Sequence, residues 1–474
     1  MRQIQILLLA LLPSMVAAQV KKVIDVRPGE DLAALLGDDK MQVDTLELTG
    51  ELRHADFEVM RECAYGGRLC AVYMGDCVVE DDSIPEEAFM MPWGGTNLDS
   101  VVLPRRLRAI GDFAFYHNDI RSIDLPATLK YIGACAFQRC YNLVRVDIPE
   151  GVEEIGTNCF RECYALEEAS LPSTIRKLGI GIFAITRSLK TIHLAEGIKS
   201  IGQKSFWRGG VLEEMDIPQS VSLVAPEAFM YCSFLRRVSL PDGLTDINFS
   251  TFEECGSLSD VGWPSALEVI HDRAFYNCGF TSLTLPDGLT HICNEAFRLD
   301  RELECLVLPG TLTNLGYRAF AECAKLGEVY SVSVVPPAVG NVSTNDAQSG
   351  ADGVGVGLSP FAGMAEGAVL YVPVGAKAAY EAAQYWQDFG EIRETANFPT
   401  SVAMPSAGNA GFRVMGGKGS VTIIPSGEAV RFSIHSADGR TFASGSAAHA
   451  VSVGVASGLW IVEANGTKAK VLVE

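Results

Sequence analysis

Six of the thirteen cysteines recur at one position of a repeated pattern, three residues after a phenylalanine. These six are Cys140, Cys163, Cys232, Cys255, Cys278 and Cys323. Regularly spaced thiols could bind a metal ion or form disulfide bonds. Equivalent β-carbons in stacked strands lie about 4.8 Å apart, whereas a disulfide needs about 3.5 to 4.5 Å and converging Cα–Cβ bonds. We therefore predict a buried row of reduced thiols, with occasional disulfides or a metal site as the alternatives.

The other reactive residues lack the context of a catalytic site. No pair of histidines has the spacing of a helical metal site, and we interpret all seven as surface residues. They are His54, His117, His193, His271, His291, His435 and His449. There is no G-x-S-x-G motif and no papain-like or caspase-like cysteine signature. Gly353, Gly355 and Gly357 form a glycine-rich run, but no strand-to-helix pattern surrounds it as in a phosphate-binding loop. The sequence thus predicts a protein that is not an enzyme and has no metal or cofactor.

The amino-terminal residues are typical of a secretory signal peptide. Arg2 is followed by an apolar run from Ile6 to Leu12 and by Val16-Ala17-Ala18 before Gln19. No later stretch has the roughly 18 to 20 apolar residues of a membrane-spanning helix. We therefore predict a secreted or cell-surface protein. The net charge of −20 argues against nucleic acid as a partner, because binding its backbone requires clustered Lys and Arg.

A pattern of 22 or 23 residues repeats through the middle of the chain. Its first marker is a proline, with Ala195 in one place, at Pro104, Pro126, Pro149, Pro172, Pro218, Pro241, Pro264, Pro286 and Pro309. Eleven residues after each marker comes a phenylalanine, at Phe115, Phe137, Phe160, Phe183, Phe206, Phe229, Phe252, Phe275, Phe297 and Phe320. Such a fixed register indicates a repeat architecture.

Apolar residues at further fixed positions give approximately L-x-x-[VI]-x-[LI]-P-x-x-[LV]-x-x-I-x-x-x-A-F. The alternation before the proline predicts a short strand, which the proline ends because it cannot donate to a strand ladder. A second short extended segment follows, as from Leu129 to Ile132. A unit this short cannot bury its own apolar face, so neighbouring units must stack. The predicted fold is a repeat solenoid of 22–23-residue units, mainly short β-strands with helical turns.

Two sets of residues are candidates for ligand binding. The first set lies two and four positions before the proline and should point outward from the strands. Its members are Asp124, Arg145, Asp147, Glu168, Thr191, His193, Glu214, Asp216, Arg237 and Asp260. The second set consists of aromatic residues one or two positions after the core phenylalanine, which could stack on sugars or pack between turns. It comprises Tyr116, Trp207, Tyr231 and Tyr276.

The repeat resembles the BspA-like subclass of leucine-rich repeats found in bacterial surface proteins, over Leu98 to Cys323. The segment that includes Phe361, Tyr380 and Trp386 resembles the closing unit that follows such arrays, although Val339 to Pro360 is an insertion rich in Gly, Ser, Asn and Asp. The resemblance implies adhesion, because relatives of this kind bind extracellular matrix proteins and mediate attachment.

The flanking segments differ from the repeat. Val23 to Val79, with a helical stretch from Asp56 to Ala64, has the place of an amino-terminal cap, and Phe89 begins a degenerate first repeat. After a segment rich in Pro, Ser and Ala, alternating residues predict a small β-sandwich. Its last residues, from Lys468, resemble the C-terminal sorting domain of the type IX secretion system, which would attach the protein to the outer membrane. A sandwich without that role is the alternative.

The predicted organisation is a signal peptide at 1–18, an amino-terminal cap at 19–83, the solenoid at 84–330, a closing unit at 331–395, a linker at 396–411 and the C-terminal β-sandwich at 412–474. We predict a non-catalytic surface or secreted protein that binds an extracellular protein through its repeats, in adhesion to host or neighbouring cells. Glycan binding is the second hypothesis, and an enzyme in a flanking domain is the third.

Overall fold

The structure is a computed structural model that describes residues 19–91, 98–342 and 358–399, and 412–417, 420–425, 430–436, 440–447, 451–455, 458–464 and 467–473 beyond them. The predicted signal peptide, the glycine-rich run, His449 and most of the insertion and linker lie outside the described residues. The chain forms two compact units. Unit 1 comprises the residues up to 175 together with 186–193, and unit 2 comprises 176–185 together with the residues from 194 onward.

Unit 1 begins with three strands that alternate with two helices. These elements are β1 (Lys21–Val26), α1 (Leu32–Leu36), β2 (Thr45–Leu52), α2 (His54–Tyr65) and β3 (Ala71–Val79), with short 3-10 turns at Gly37–Asp39 and Glu80–Asp82. The buried Asp56 fixes the start of α2, because its carboxylate accepts the backbone N–H groups of Arg53 at 2.8 Å and of Leu32 at 3.3 Å. One side chain thus ties the beginnings of both helices together.

Most coils contribute two short strands, one before and one after the proline position, whereas the coil of Pro126 contributes one strand, after the proline. The strands are β4 (Ser83–Ile84), β5 (Ser100–Val102), β6 (Ala109–Ile110), β7 (Tyr131–Ile132), β8 (Arg145–Asp147), β9 (Glu154–Ile155), β10 (Glu168–Ser170), β11 (Lys177–Leu178), β12 (Thr191–His193), β13 (Ser200–Ile201), β14 (Glu214–Asp216), β15 (Leu223–Val224), β16 (Arg237–Ser239), β17 (Asp246–Ile247), β18 (Asp260–Gly262), β19 (Val269–Ile270), β20 (Ser282–Thr284), β21 (His291–Ile292), β22 (Cys305–Leu308), β23 (Asn314–Gly316), β24 (Glu328–Ser331) and β25 (Ala338–Gly340).

These strands pair in parallel and in register from coil to coil. In unit 1 the sheets are β1-β2-β3-β5, β4-β6-β7-β9 and β8-β10-β12. In unit 2 they are β11-β13-β15, β14-β16-β18, β17-β19-β21-β23-β25 and β20-β22-β24, which two later strands extend. Arg145 lies opposite Glu168, and Glu168 opposite Thr191, at the repeat length. This arrangement confirms the predicted repeat solenoid.

The core phenylalanines form a continuous stack inside each unit. All ten predicted rings are fully buried. In unit 1, Phe89 stacks on Phe115 with a distance of 5.4 Å between ring centroids. In unit 2, Phe206 and Phe229 are 5.0 Å apart, and the stack ends with Phe320 on Phe361 at 6.0 Å. Within each unit the rings pack against their neighbours, so burial of this one position links successive coils of that unit.

The turn around each phenylalanine has a distinctive backbone. The residues two before and two after the ring have positive φ, as at Phe113 (55°) and His117 (62°) around Phe115. This left-handed conformation is unfavourable for residues other than glycine. Here it is held by hydrogen bonds to the next coil, because the N–H of Phe113 donates to the Ala134 carbonyl at 2.9 Å and the N–H of His117 to the Gln138 carbonyl at 2.8 Å. Stacking therefore stabilises the turn as well as the strands.

The last part of the repeat region adds β26 (Val369–Pro373), α3 (Lys377–Ala382), a 3-10 turn at Trp386–Asp388 and β27 (Glu391–Thr395). Strand β26 pairs with β24 and β27 in parallel, so the coils continue beyond the insertion. Trp386 packs against Phe361, and its indole N–H donates to the Pro337 carbonyl at 3.0 Å. Trp386 thus covers Phe361, the final ring of the stack.

The C-terminal region contains seven antiparallel strands. They are β28 (Phe412–Gly417), β29 (Ser420–Pro425), β30 (Val430–Ser436), β31 (Thr441–Ala447), β32 (Val451–Gly454), β33 (Gly458–Ala464) and β34 (Thr467–Val473). They form two sheets with the orders β28-β29-β32 and β31-β30-β33-β34. The sequence pattern had not indicated β28 and β31, which are rich in Gly and Ser and do not alternate clearly. In the described part of the chain, no helix has the length and hydrophobicity needed to cross a membrane.

Candidate functional site

The outward strand face of unit 1 is organised by Arg145. Its guanidinium donates to both carboxylate oxygens of Asp147, with Nε–Oδ2 at 2.7 Å and Nη2–Oδ1 at 3.2 Å, and to Glu168 Oε2 at 3.0 Å. Asp147 also accepts a hydrogen bond from the Ser170 hydroxyl at 2.8 Å. These four side chains come from adjacent strands β8 and β10, because parallel in-register pairing places their outward positions side by side.

The remaining unit 1 candidates lie on the same face. His193 on β12 places Nε2 at 3.8 Å from Glu168 Oε1, and Thr191 is opposite Glu168. Asp124 is exposed and comes two residues after Ser122, which forms a parallel bridge with Arg145 of β8. The predicted residues are thus brought together in unit 1.

Unit 2 carries a second arginine-centred network on strands β14 and β16. Arg237 Nη2 is 3.1 Å from Glu214 Oε2, and its Nη1 is 3.1 Å from Asp216 Oδ1. Asp260 lies on β18 opposite Arg237. Burial raises the pKa of the Asp260 carboxyl, and the nearby guanidinium acts against that rise. All four predicted residues of this unit therefore share one surface.

These networks present carboxylates as fixed acceptors. Hydrogen bonds from Arg145, and then from Ser170, hold the pKa of Asp147 below its usual range, so it is ionised at neutral pH. Because the side chain is hydrogen-bonded and ionised, it is suited to accepting hydrogen bonds from a cationic or N–H-bearing partner. A general acid or base instead needs a pKa near the working pH.

The predicted aromatic residues are paired with arginines. Arg139 donates to the Tyr116 hydroxyl at 2.9 Å. The Arg208 guanidinium lies 4.7 Å from the ring centroid of Trp207 and 5.2 Å from that of Tyr231. Such distances are typical of cation–π contacts.

Tyr276 follows the same arrangement, because Arg273 lies 4.3 Å from its ring centroid and Arg298 lies 5.8 Å from it. The aromatic positions therefore form arginine-capped pairs along the turns. A sugar would have to displace the guanidinium in order to stack on the ring face that the guanidinium covers.

Two aromatic clusters were missed by the sequence pattern. On the outward face of unit 2, Tyr330 and Tyr371 stack with 4.4 Å between centroids and an interplanar angle of 8°. Arg393 lies beside them, with Nη1 at 3.5 Å from the Tyr371 hydroxyl, and binds Glu391 through two hydrogen bonds. The sequence signal that could have identified this pair is the alternation of Tyr330 and Tyr371 with apolar neighbours that are buried in the structure.

The second missed cluster is in unit 1. Tyr141 and Tyr164 stack at 4.8 Å, and Arg187 lies 4.4 Å from the centroid of Tyr164. These residues occur four positions after the core phenylalanine, so a search limited to the next two positions did not include them.

The recurring cysteines face the interior, where they form a thiol ladder at the position three residues after each phenylalanine. All thirteen cysteines are free thiols. Each ladder thiol donates to the phenylalanine carbonyl of the preceding coil, at Sγ–O distances of 3.1 to 3.4 Å. The pairs are Cys140–Phe115, Cys163–Phe137, Cys232–Phe206, Cys255–Phe229, Cys278–Phe252 and Cys323–Phe297. Burial raises the pKa of the Cys140 and Cys232 thiols to about 12, so they stay protonated donors.

Two further results concern the other candidate ligands. His271, predicted at the surface, is buried, and its Nε2 lies 3.0 Å from Asp246 Oδ1. The surface prediction was wrong for His271, because its imidazole pairs with Asp246 of the preceding coil and its side chain is only 11% exposed. Over the described residues, no group of three or more His, Cys, Asp or Glu side chains is arranged to hold a metal ion.

Known proteins share the repeat. The family profile of the BspA type leucine rich repeat region matches in six copies over residues 82–209, 153–278 and 222–335, which together exceed half of the chain. A leucine-rich repeat protein from Bacteroides ovatus of known crystal structure is 27% identical, with a TM-score of 0.39, over 45% of this chain. The alignment spans 64% of the length of that protein.

Two other solved structures are similar. The pneumococcal vaccine antigen PcpA is 19% identical over 74% of this chain and 86% of its own, with a TM-score of 0.43. A leucine rich cell surface protein from Faecalibacterium prausnitzii is 20% identical over 60% of this chain and 83% of its own, with a TM-score of 0.33. A comparison with curated proteins gave no match.

Proposed function

Because the chain belongs to the BspA type leucine-rich-repeat family, we propose that it is a non-catalytic binding protein of the cell surface or the extracellular space. Its partner is an extracellular protein, held on the outward strand face of the repeats, and the result is adhesion to host or neighbouring cells. Repeat proteins of this kind commonly bind through an extended exposed sheet, which favours this face.

The Arg145 network carries the proposal. Arg145, Asp147, Glu168 and Ser170 hold one another through short hydrogen bonds on regular strands, although the Asp147 side chain is 56% exposed. Exposed ion pairs contribute little to folding stability. Side chains that are pre-oriented lose less conformational entropy when a partner binds, which supports a recognition role.

Glycan binding through the aromatic positions is the weaker hypothesis. Tyr231 is 38% exposed, but Arg208 lies within cation–π distance of both it and Trp207. The strand face offers exposed carboxylates held in fixed positions, such as Asp147, which supports a protein partner with basic or N–H-donating groups.

A binding screen separates these functions. The purified chain would be tested against immobilised extracellular matrix proteins and against a glycan array, alongside the double variant Trp207→Ala/Tyr231→Ala. We expect saturable binding to a matrix protein that the double variant retains. Binding to glycans alone, lost in the double variant, would instead support the glycan hypothesis. Hydrolysis of a bound ligand would point to an enzyme.

Export and surface attachment stay predictions. The signal peptide lies outside the described residues, and the two C-terminal sheets are compatible with the predicted sandwich. We propose that residues 412–474 direct attachment to the outer membrane, as the resemblance to sorting domains implies. The division at residues 83, 330 and 395 into cap, solenoid and closing unit is likewise proposed.

A further inference from the structure

One position of the thiol ladder in unit 2 holds a carboxyl group. Asp300 comes three residues after Phe297, between the ladder positions of Cys278 and Cys323, and it is fully buried. In the coils that carry a ladder cysteine, here called thiol coils, this position supplies a hydrogen-bond donor to the phenylalanine carbonyl of the preceding coil. Cys278, for example, donates to Phe252 at 3.3 Å. The equivalent acceptor for Asp300 is the carbonyl of Phe275.

The two oxygens of Asp300 have different surroundings. Oδ1 accepts the backbone N–H of Cys278 at 2.6 Å. In a thiol coil the equivalent N–H donates to the phenylalanine carbonyl of its own coil, as Cys255 does to Phe252 at 3.2 Å. Oδ2 is buried, and no donor in the described part of the chain forms a hydrogen bond to it. A buried carboxylate oxygen without a donor is costly, whereas a protonated oxygen at this place could itself donate.

The surroundings of Asp300 favour its protonated form. The titratable groups that interact with it are the thiols of Cys278 and Cys323, one from each adjoining coil, and burial raises the pKa of both. Among the described residues, no basic side chain forms an ion pair with Asp300. Burial raises the pKa of the Asp300 carboxyl well above its usual range, and the hydrogen bond from Cys278 only partly opposes that rise.

A polar side chain is compatible with the ladder position. In unit 1, Asn118 occupies it and is buried, and its Nδ2 donates to the Phe89 carbonyl at 2.8 Å. The amide thus replaces the thiol as a donor to the preceding coil. A carboxylic acid has the same shape and can also donate, provided that it keeps its proton.

We propose that Asp300 is a neutral carboxylic acid in the folded chain, that its Oδ2–H donates to the Phe275 carbonyl, and that its ionisation weakens coil stacking in unit 2. Asp300 then makes the stability of this unit sensitive to pH. The thiol coils add no such sensitivity, because their donors stay protonated well above neutral pH.

The direction of the pH effect on stability follows from the pKa of Asp300 in the unfolded and in the folded chain. In the unfolded chain the carboxyl ionises near its ordinary value of 3.8, whereas in the folded chain it keeps its proton to a higher pH. The contribution of Asp300 to folding stability is therefore complete when the pH is below that ordinary pKa. It is lost as the pH rises towards the pKa of the folded chain. Within this window the unfolding equilibrium constant rises by up to about tenfold per pH unit.

Urea unfolding of the full chain between about pH 5 and pH 8 tests the proposal. The variants are Asp300→Asn, which copies Asn118, and Asp300→Cys, which restores the thiol. We expect the urea midpoint of the parent to fall with rising pH relative to both variants. Asp287→Asn removes an exposed acid of the same unit and should leave the parental profile unchanged. Parallel profiles of the parent and both Asp300 variants would overturn the proposal.

An infrared measurement gives a readout that does not depend on stability. At neutral pH, the difference spectrum between the parent and Asp300→Cys should contain the carbonyl band of a protonated carboxyl group. Carboxylate bands in its place would show that Asp300 is ionised in the folded chain and would contradict the proposal, even if Asp300→Asn failed to fold.

Discussion

Inside the coils the same side chains recur from one coil to the next, whereas the outward strand face changes at each step. In the interior, Phe206, Phe229 and Phe252 repeat one ring with centroid distances of 5.0 and 5.4 Å. On the outward face of the same unit, Glu214 is followed by Arg237 and then by Asp260. Both rows are governed by the same register.

The difference lies in what each row must contact. An interior side chain is buried between two equivalent neighbours, so any change alters both interfaces. An outward side chain contacts solvent and its strand neighbours, and surface ion pairs such as Arg145–Glu168 have little influence on folding. The interior therefore determines stability, and the outward face is free to specialise for a partner.

The largest expected effect is at the ring stack. Phe229→Ala should lower the free energy of unfolding by about 3 to 5 kcal/mol, because it leaves a cavity between two stacked rings. Chemical denaturation measures this change. Phe234→Ala is the matched control, since that ring belongs to the same coil but is 53% exposed. Equal losses in both variants would remove the distinction between interior and surface.

The thiol ladder should give an intermediate effect. Cys255→Ala removes the donor to the Phe229 carbonyl and a buried sulfur atom, which should cost about 1 to 2 kcal/mol of unfolding free energy. Cys305→Ala changes a cysteine on the outward strand β22 and should cost less. A ladder variant as stable as the parent in chemical denaturation would show that neither the packing nor the hydrogen bond of this thiol stabilises the coil.

The interior was predictable from sequence because it is periodic. The proline and phenylalanine spacing located the rings, and the same register placed the six ladder cysteines inside. Their hydrogen bonds to carbonyls could not be predicted, because backbone acceptors have no sequence signal. Asp300 shows the limit of the rule, since a charged residue type at this position would ordinarily be assigned to the surface.

The outward face was predictable only while the period held. Arg145 and its neighbours share positions fixed by the proline, so their proximity followed from the register. Tyr330 and Tyr371 were missed because the insertion between them lengthens one repeat, although their strands still pair directly. The guanidinium contacts of Trp207 and Tyr276 depend on the path of the turns, which is set by left-handed residues other than glycine.

The most direct test measures affinity and melting temperature on one variant. The strand-face variant changes Asp124, Asp147 and Asp216 together to lysine. The control variant makes the same change at three exposed acids outside the strands that precede the proline, namely Asp38, Glu154 and Asp287. We predict weaker binding to the protein partner at an unchanged melting temperature, and no loss of binding in the control. Unchanged affinity in the strand-face variant would contradict the assignment of recognition to this face.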